Sequence, residues 1–292
     1  MDIAFVAAQF LNGLAIAMIL ILIASGLTLL LGVLGILNFA HGGFYMLGAF
    51  MMFSLGQWGL GGMWFWVGLI TIPLALALVA AVVEICLLRP LYHRERLYTL
   101  LLTFGLAMVF DDLALLIWGR DFKTVPVPEL LSGAVSIGNY GFPLHFIFII
   151  VVGPVVCALL WYLLYRTPFG KLIRAASTDT EMLGALGVNV NLVFTGVFAL
   201  SAALAGLAGL LVAPIRSIVP GMGLEIFIES FIVVVIGGMG SLGGAIIGAL
   251  LIGQIKAFGI LALPNFAMIF IYLVLLAVLI VKPRGLFGEK TV

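Results

Sequence analysis

Charge is what this sequence has least of. Only 9% of its 292 residues are Asp, Glu, Lys or Arg, against 65% that are hydrophobic. Soluble domains are about a quarter charged and about half apolar. A chain so poor in polar surface cannot cover a water-soluble core, which excludes a soluble domain and indicates a polytopic membrane protein. The net charge of +1 gives no electrostatic case for nucleic acid. Cysteine is equally scarce: Cys86 and Cys157 both lie in apolar runs and read as buried small hydrophobes rather than a disulfide or metal site. Catalytic motifs are missing as well. The only Gly-Lys pair, Gly170-Lys171, is followed by Leu172 and preceded by Tyr165 where a phosphate-binding loop has its first glycine. There is no His-Glu-x-x-His and no Cys/His cluster with metal spacing, so no cofactor is expected in this chain. Ser201 and Ser241 have no histidine near them in sequence. Uphill movement of a solute would draw on a partner or an ion gradient.

What is present is long apolar sequence. A spanning helix needs about 20 mostly apolar residues, and candidates run over 5–31, 43–57, 64–88, 98–118, 144–165, 191–213 and 264–281. The N-terminal run lacks the basic start of a signal peptide and reads as a retained first segment. Nine of the thirteen Lys and Arg residues fall in "RPLYHRER" (89–96), "RTPFGKLIR" (166–174) and "KPRGLFGEK" (282–290). Short basic loops stay on the cytoplasmic side, which places all three inside and the N-terminus outside. The stretch 226–258 must then go in and come out. It is either a tight helical pair or a re-entrant element. The expected fold is an all-α polytopic membrane protein, one domain over 1–292. It has about eight or nine membrane segments, two of them broken or re-entrant helices, one in each half. Outside the membrane, only the outer loop 119–143 and the inner segment 166–190 have any size.

Two stretches share a plan of apolar run, Gly-rich polar break and small-residue helix. The first, "LLLGVLGILNFAHGGFYMLGAF", carries Asn38, His41, Gly42 and Gly43 at its break. The second, "FIVVVIGGMGSLGGAIIGALLIG", carries Gly237, Gly238, Gly240, Ser241, Gly243 and Gly244. Freed backbone amides and carbonyls cannot face lipid, so such breaks are buried in protein or line a wet cavity. Paired breaks in the two halves point to a transporter's substrate path. The plainer alternative is close helix packing through small-xxx-small patterns, with His41 a hydrogen-bonded structural group.

Few charges lie inside the apolar runs. Asp111 and Asp112 point about 100° apart on a helix and form no preset acid–base pair. They are expected at the outer interface, solvated or paired with Arg120, or else as a polar lining or proton relay. Glu84 is expected to snorkel or to pair locally near Arg89. Glu225 and Glu229 flank the start of the second broken segment, where a helix N-terminus favours an anion. In the inner segment, Thr178 with Glu181 reads as a capping box opening a short helix over 179–186, with Gly187 as its stop. A capped helix between two spans suits insertion into a groove on a cytoplasmic partner. A plain surface turn is the alternative.

On "GLTLLLGVLGILNFAHGGFYMLGAF" (26–50), "RTPFGKLIRAASTDTEMLGALGVNV" (166–190), "SAALAGLAGLL" (201–211), "FIVVVIGGMGSLGGAIIGALLIG" (231–253) and "KPRGLFG" (282–288), the chain resembles the LivH-type permease of bacterial branched-chain amino acid ABC importers. The resemblance spans nearly the whole chain in the family's order. It implies a subunit of the bacterial inner membrane that pairs with a second related permease, two cytoplasmic ATPases and an extracytoplasmic solute-binding protein. ATP and Mg2+ would be held by the ATPases. It also implies that the segment with Arg174, Thr178, Asp179, Glu181, Gly184 and Gly187 engages an ATPase. Asp111-Asp112 departs from the family's pattern of uncharged polar residues there. Urea and short amides are also carried by such permeases. The rival from another class, an ion-coupled secondary transporter, would have to use Asp111, Asp112 or His41 for its ion.

Overall fold

The computed structural model describes residues 2–58, 61–92, 94–262 and 266–288. Of the described residues, 78% are helical. At its centre is α1 (Ile3–Val33), one uninterrupted helix of 31 residues. It is apolar all round, and such a helix is stable only when surrounded by other apolar surface. Ala17, Ile23, Ala24 and Leu27 are wholly buried. Around it pack α5 (Leu144–Arg166), α8 (Val190–Val212), α9 (Met222–Gly237) and α10 (Leu242–Ala262). Outside α8 come α2 (His41–Gln57) and α3 (Trp64–Val83). α4 (Arg96–Trp118) lies against α2 and α9, and α11 (Ala267–Val281) against α10 and α9. The peripheral helices turn large apolar side chains outward, as Ile70, Leu74 and Leu78 of α3 do at over 60% exposure. Water does not tolerate such a surface and lipid does.

The eight or nine segments expected from hydropathy resolve differently. Among the described residues, six helical stretches are long and apolar enough to cross a membrane: Ile3–Val33, Trp64–Leu91, Arg96–Trp118, Leu144–Arg166, Val190–Val212 and Leu242–Leu261. α2, α9 and α11 are shorter, at 17, 16 and 15 residues. The expected segment 264–281 begins at residues outside the described ones. The stretch 226–258 is a helical pair: Gly237 packs on Gly244, Gly248 on the Val233 carbonyl, and Glu229 pairs with Lys256, so α9 and α10 run antiparallel.

The outer loop holds β1 (Ala134–Ile137) and β2 (Tyr140–Pro143), an antiparallel hairpin turning at Gly138 with φ +61. The Gly138-Asn139 pair between two short apolar runs is its signal in the sequence. The inner segment contains α6 (Pro168–Thr178), absent from the expected elements, before α7 (Thr180–Ala185). Cys86 is exposed beside the equally exposed Ile85 and Leu87, which corrects its expected burial. It sits on an outward apolar face, where a thiol is as acceptable as any small hydrophobe.

Candidate functional site

After Val33 the helix stops, and Leu34–Ala40 leads to a new helix at His41. This stretch doubles back alongside α1. The His41 Nε2 lies 3.0 Å from the Ile23 carbonyl, and Ile23 precedes the end of α1 by about 15 Å of helix rise. Along the way the Thr103 hydroxyl donates to the Leu37 carbonyl at 3.3 Å, and the Asn38 Oδ1 accepts from the Ala40 amide at 3.1 Å.

His41 is wholly buried, and so is Ser201, whose Oγ is 3.2 Å from the His41 Nδ1. A carbonyl only accepts, so Nε2 carries the proton and Nδ1 accepts from the serine. This Ser–His pair is what the linear sequence could not show. Among the described residues no carboxylate orients the histidine, and both side chains are wholly buried, so the pair joins α2 to α1 and α8 rather than forming a nucleophile. Near it, the buried Ser25 Oγ, Thr28 Oγ1 and Asn38 Nδ2 have no hydrogen-bond partner among the described residues.

Gly42 lets the first turn of α2 cross the first turn of α9 at backbone contact with Gly223; a Cβ on Gly223 would lie 2.8 Å from the Gly42 carbonyl oxygen. Phe39 and Phe227 pack beside the crossing with ring centroids 4.8 Å apart and planes tilted by 41°. Gly43 receives the Phe110 ring. Farther along, Gly48 faces Gly206 and Gly209 faces the Tyr45 carbonyl, so these small-xxx-small patterns serve packing.

The second break has a cap that the sequence did not reveal. The last carbonyls of α9, on Ile236 and Gly237, accept from the Leu286 and Phe287 amides at 2.8 and 2.9 Å. The C-terminal stretch "KPRGLFG" therefore satisfies a helix end that would otherwise leave carbonyls orphaned. Gly238 and Gly240 have φ +105 and +83, open to glycine at little cost. The Ser241 hydroxyl accepts from the Gly244 amide at 3.1 Å and caps α10, while a Cβ on Gly243 would meet none of the described residues within 4 Å. A Cβ on Gly32, at the end of α1, would lie 3.3 Å from the Gly240 Cα. The two breaks thus meet, at the same end of the molecule as the basic C-terminal stretch.

Buried charges form two further sites. The Glu84 carboxylate is fully enclosed and accepts from Arg89 at 3.0 Å, Thr195 at 2.7 Å and Tyr92 at 2.9 Å. It does not snorkel; it clamps the inner end of α3 to α8. The backbone widens there into a π-helical turn, Glu84–Leu88. Burial, and then the adjacent Glu84 carboxylate, push the Tyr92 phenol above its usual range, which keeps it a donor. Toward the outer side, Glu225 in the first turn of α9 pairs with Arg216 at 3.0 Å, and Glu229 pairs with Lys256 of α10. Arg120 forms no ion pair with Asp111 or Asp112 among the described residues. Asp111 is half-buried and Asp112 is exposed.

The inner segment differs from expectation by one residue. Thr178 closes α6, its hydroxyl donating to the Arg174 carbonyl at 3.2 Å. Asp179 caps α7 and accepts from the Met182 amide at 2.9 Å. The Thr178–Glu181 capping box is not formed, because burial of Ile173 and Ala176 carries α6 through Thr178. The extended backbone needed for a cap comes at Asp179. Gly187, with φ +83, ends the element as expected. Arg174 donates to the Leu164 carbonyl and lies over the Tyr165 ring at 4.9 Å, so it caps α5. Met182 and Leu186 stand 63% and 73% exposed, with Glu181 and Gly184 also on the surface. A cavity of about 660 Å³ separates Thr180 and Glu181 from the break at Leu34–Leu37, so this segment and both breaks share one end of the molecule.

A family profile described as "Branched-chain amino acid transport system / permease component" matches residues 9–279. The high-affinity branched-chain amino acid transport system permease protein BraD of Pseudomonas aeruginosa is 30% identical, with 97% of this chain and 96% of that protein covered. The corresponding LivH protein of Escherichia coli K12 is 29% identical over the same shares. A probable LivH permease of Methanocaldococcus jannaschii is 30% identical over 92% of this chain and 89% of its own.

Proposed function

Because the chain belongs to the family of branched-chain amino acid transport system permease components, we propose that it forms half of the translocation path of an ATP-driven importer for branched-chain or similar hydrophobic amino acids. It is a transport subunit of a membrane, not an enzyme. Permeases of ABC importers work with ATPases and a solute-binding protein. For this chain the set is a second related permease, two cytoplasmic ATPases that hold ATP and Mg2+, and one extracytoplasmic binding protein. The membrane is the bacterial inner membrane, with the three Lys/Arg-rich stretches inside and the N-terminus outside.

The observation that carries this reading is the gathering of both breaks and the capped segment at one end. Gly32 touches Gly240, and Thr180 and Glu181 face Leu34–Leu37 across one cavity. A push on α7 from an ATPase would reach the end of α1 and the first break through α6, which packs on both α7 and α1, and the second break through Gly240. On this reading, Leu34–Ala40 re-enters the bilayer and α2 and α9 are half-helices meeting within it. Asn38, His41, Gly42 and Gly43 form the hinge on one side of the path. Gly237, Gly238, Gly240, Ser241, Gly243 and Gly244 form the other. The unpartnered Ser25, Thr28 and Asn38 atoms supply polar surface where lipid would supply none. Asp179 and Gly187 fix the docking helix, while Arg174, Thr178 and Gly184 support it.

The exposed Glu181, Met182 and Leu186 would contact the ATPase. Glu181→Arg in the assembled transporter should lower binding-protein-stimulated ATPase activity on the order of fivefold or more, with assembly intact. Unchanged stimulation would remove α7 as the docking element.

A further inference from the structure

The cavity behind α7 has the chemistry of a ligand site. Its volume, about 660 Å³, is within the usual range for small-molecule pockets. Arg94 and Arg96 reach it from the basic loop and the start of α4, and Glu181 reaches it from α7. The lining also includes the apolar Leu34, Leu37 and Phe194. Residues 35–37 lie outside any helix, so their backbone groups lack helical partners. Two guanidinium groups, a carboxylate on a separate element and an apolar lining together match one class of molecule: a zwitterionic α-amino acid with an apolar side chain. A purely anionic ligand, such as a lipid phosphate, would leave Glu181 opposed to it.

We infer that this cavity is a cytoplasmic-side binding site for the imported amino acid, through which product inside the cell slows further import. The inference rests on the proposed function and adds its regulation. The break at Leu34–Leu37 and the α7 segment at Thr180–Glu181 both line the cavity, so an occupant spanning it would contact both. It therefore favours the conformation in which these stand apart, and differential affinity for one conformation is what shifts a population. The carboxylate is held by Arg94 and Arg96, and the ammonium by Glu181.

The test uses the complete transporter in proteoliposomes, with ATP inside and the binding protein and labelled leucine outside. Leucine preloaded inside should lower the initial uptake rate by about fivefold or more. 4-Methylpentanoate and 3-methylbutylamine, each lacking one of the two charges, should not inhibit when loaded in its place. R94Q/R96Q transporter should take up leucine normally into empty vesicles and lose the inhibition. Equal uptake with and without internal leucine overturns the inference, as does equal inhibition by the one-charge analogues. If the double variant fails to take up leucine because the ATPase no longer assembles, the cavity is an ATPase contact and the inference also falls. Absence of ATP-dependent uptake by unaltered transporter in empty vesicles would instead be a failure of the proposed function.

Discussion

Gly42→Val should leave almost no folded protein in the membrane. The added Cβ would enter the Gly223 carbonyl and press on the Phe227 Cβ at 3.0 Å, both on α9. Overpacked side chains usually escape by changing rotamer, and the cost is then about 1–3 kcal/mol. Here the obstacle is backbone, which cannot rotate away without shifting a whole helix. The cost should therefore exceed about 3 kcal/mol, the top of that range. Gly243→Ala is the control: none of the described residues stands within 4 Å of its Cβ position, and it lies in α10, where alanine is the better helix former. Thermal unfolding in detergent followed by tryptophan fluorescence reads both. Gly42→Val protein with an unaltered midpoint would mean that the α2–α9 crossing is not close-packed.

The second large effect is expected at the Glu84 clamp. Arg89→Ala removes the cation from a carboxylate that is wholly enclosed. Breaking a buried ion pair from one side costs about 3–5 kcal/mol, because the remaining charge stays desolvated. Thr195 and Tyr92 still donate to Glu84, which places the loss near the lower end of that range. Glu84→Gln combined with Arg89→Met should recover most of the stability, since no uncompensated charge remains. A double-variant cycle measured by unfolding checks this. Additive losses would show that the two side chains are not coupled.

These effects were unevenly legible in the amino-acid order. Helix positions could be read within a few residues, because apolar runs mark helices that face other helices or lipid. The number long enough to cross could not, since α2, α9 and α11 are apolar yet short. Both Gly-rich breaks could be read too, because runs such as "GGMGSLGG" interrupt an otherwise greasy helix. Glu84–Arg89 was legible because the partners are near in sequence. The Glu229–Lys256 pair was not, because it depends on how α9 folds back on α10. The same holds for His41 with Ser201 and for the α9 carbonyls capped by Leu286 and Phe287. Each joins residues far apart in the chain, and nothing local announces them. The capping box failed for a different reason. Thr178 and Asp179 are both good caps, and the choice was made by the buried face of α6, which extends that helix through Thr178.

The most direct test of the account is leucine uptake by proteoliposomes holding this chain with its partner permease and ATPases. Uptake should require internal ATP and external binding protein, and should persist when a protonophore collapses the proton gradient. Uptake that vanishes with the protonophore yet survives removal of the ATPases would contradict it, and would return Asp111, Asp112 and His41 to consideration as an ion-coupling site.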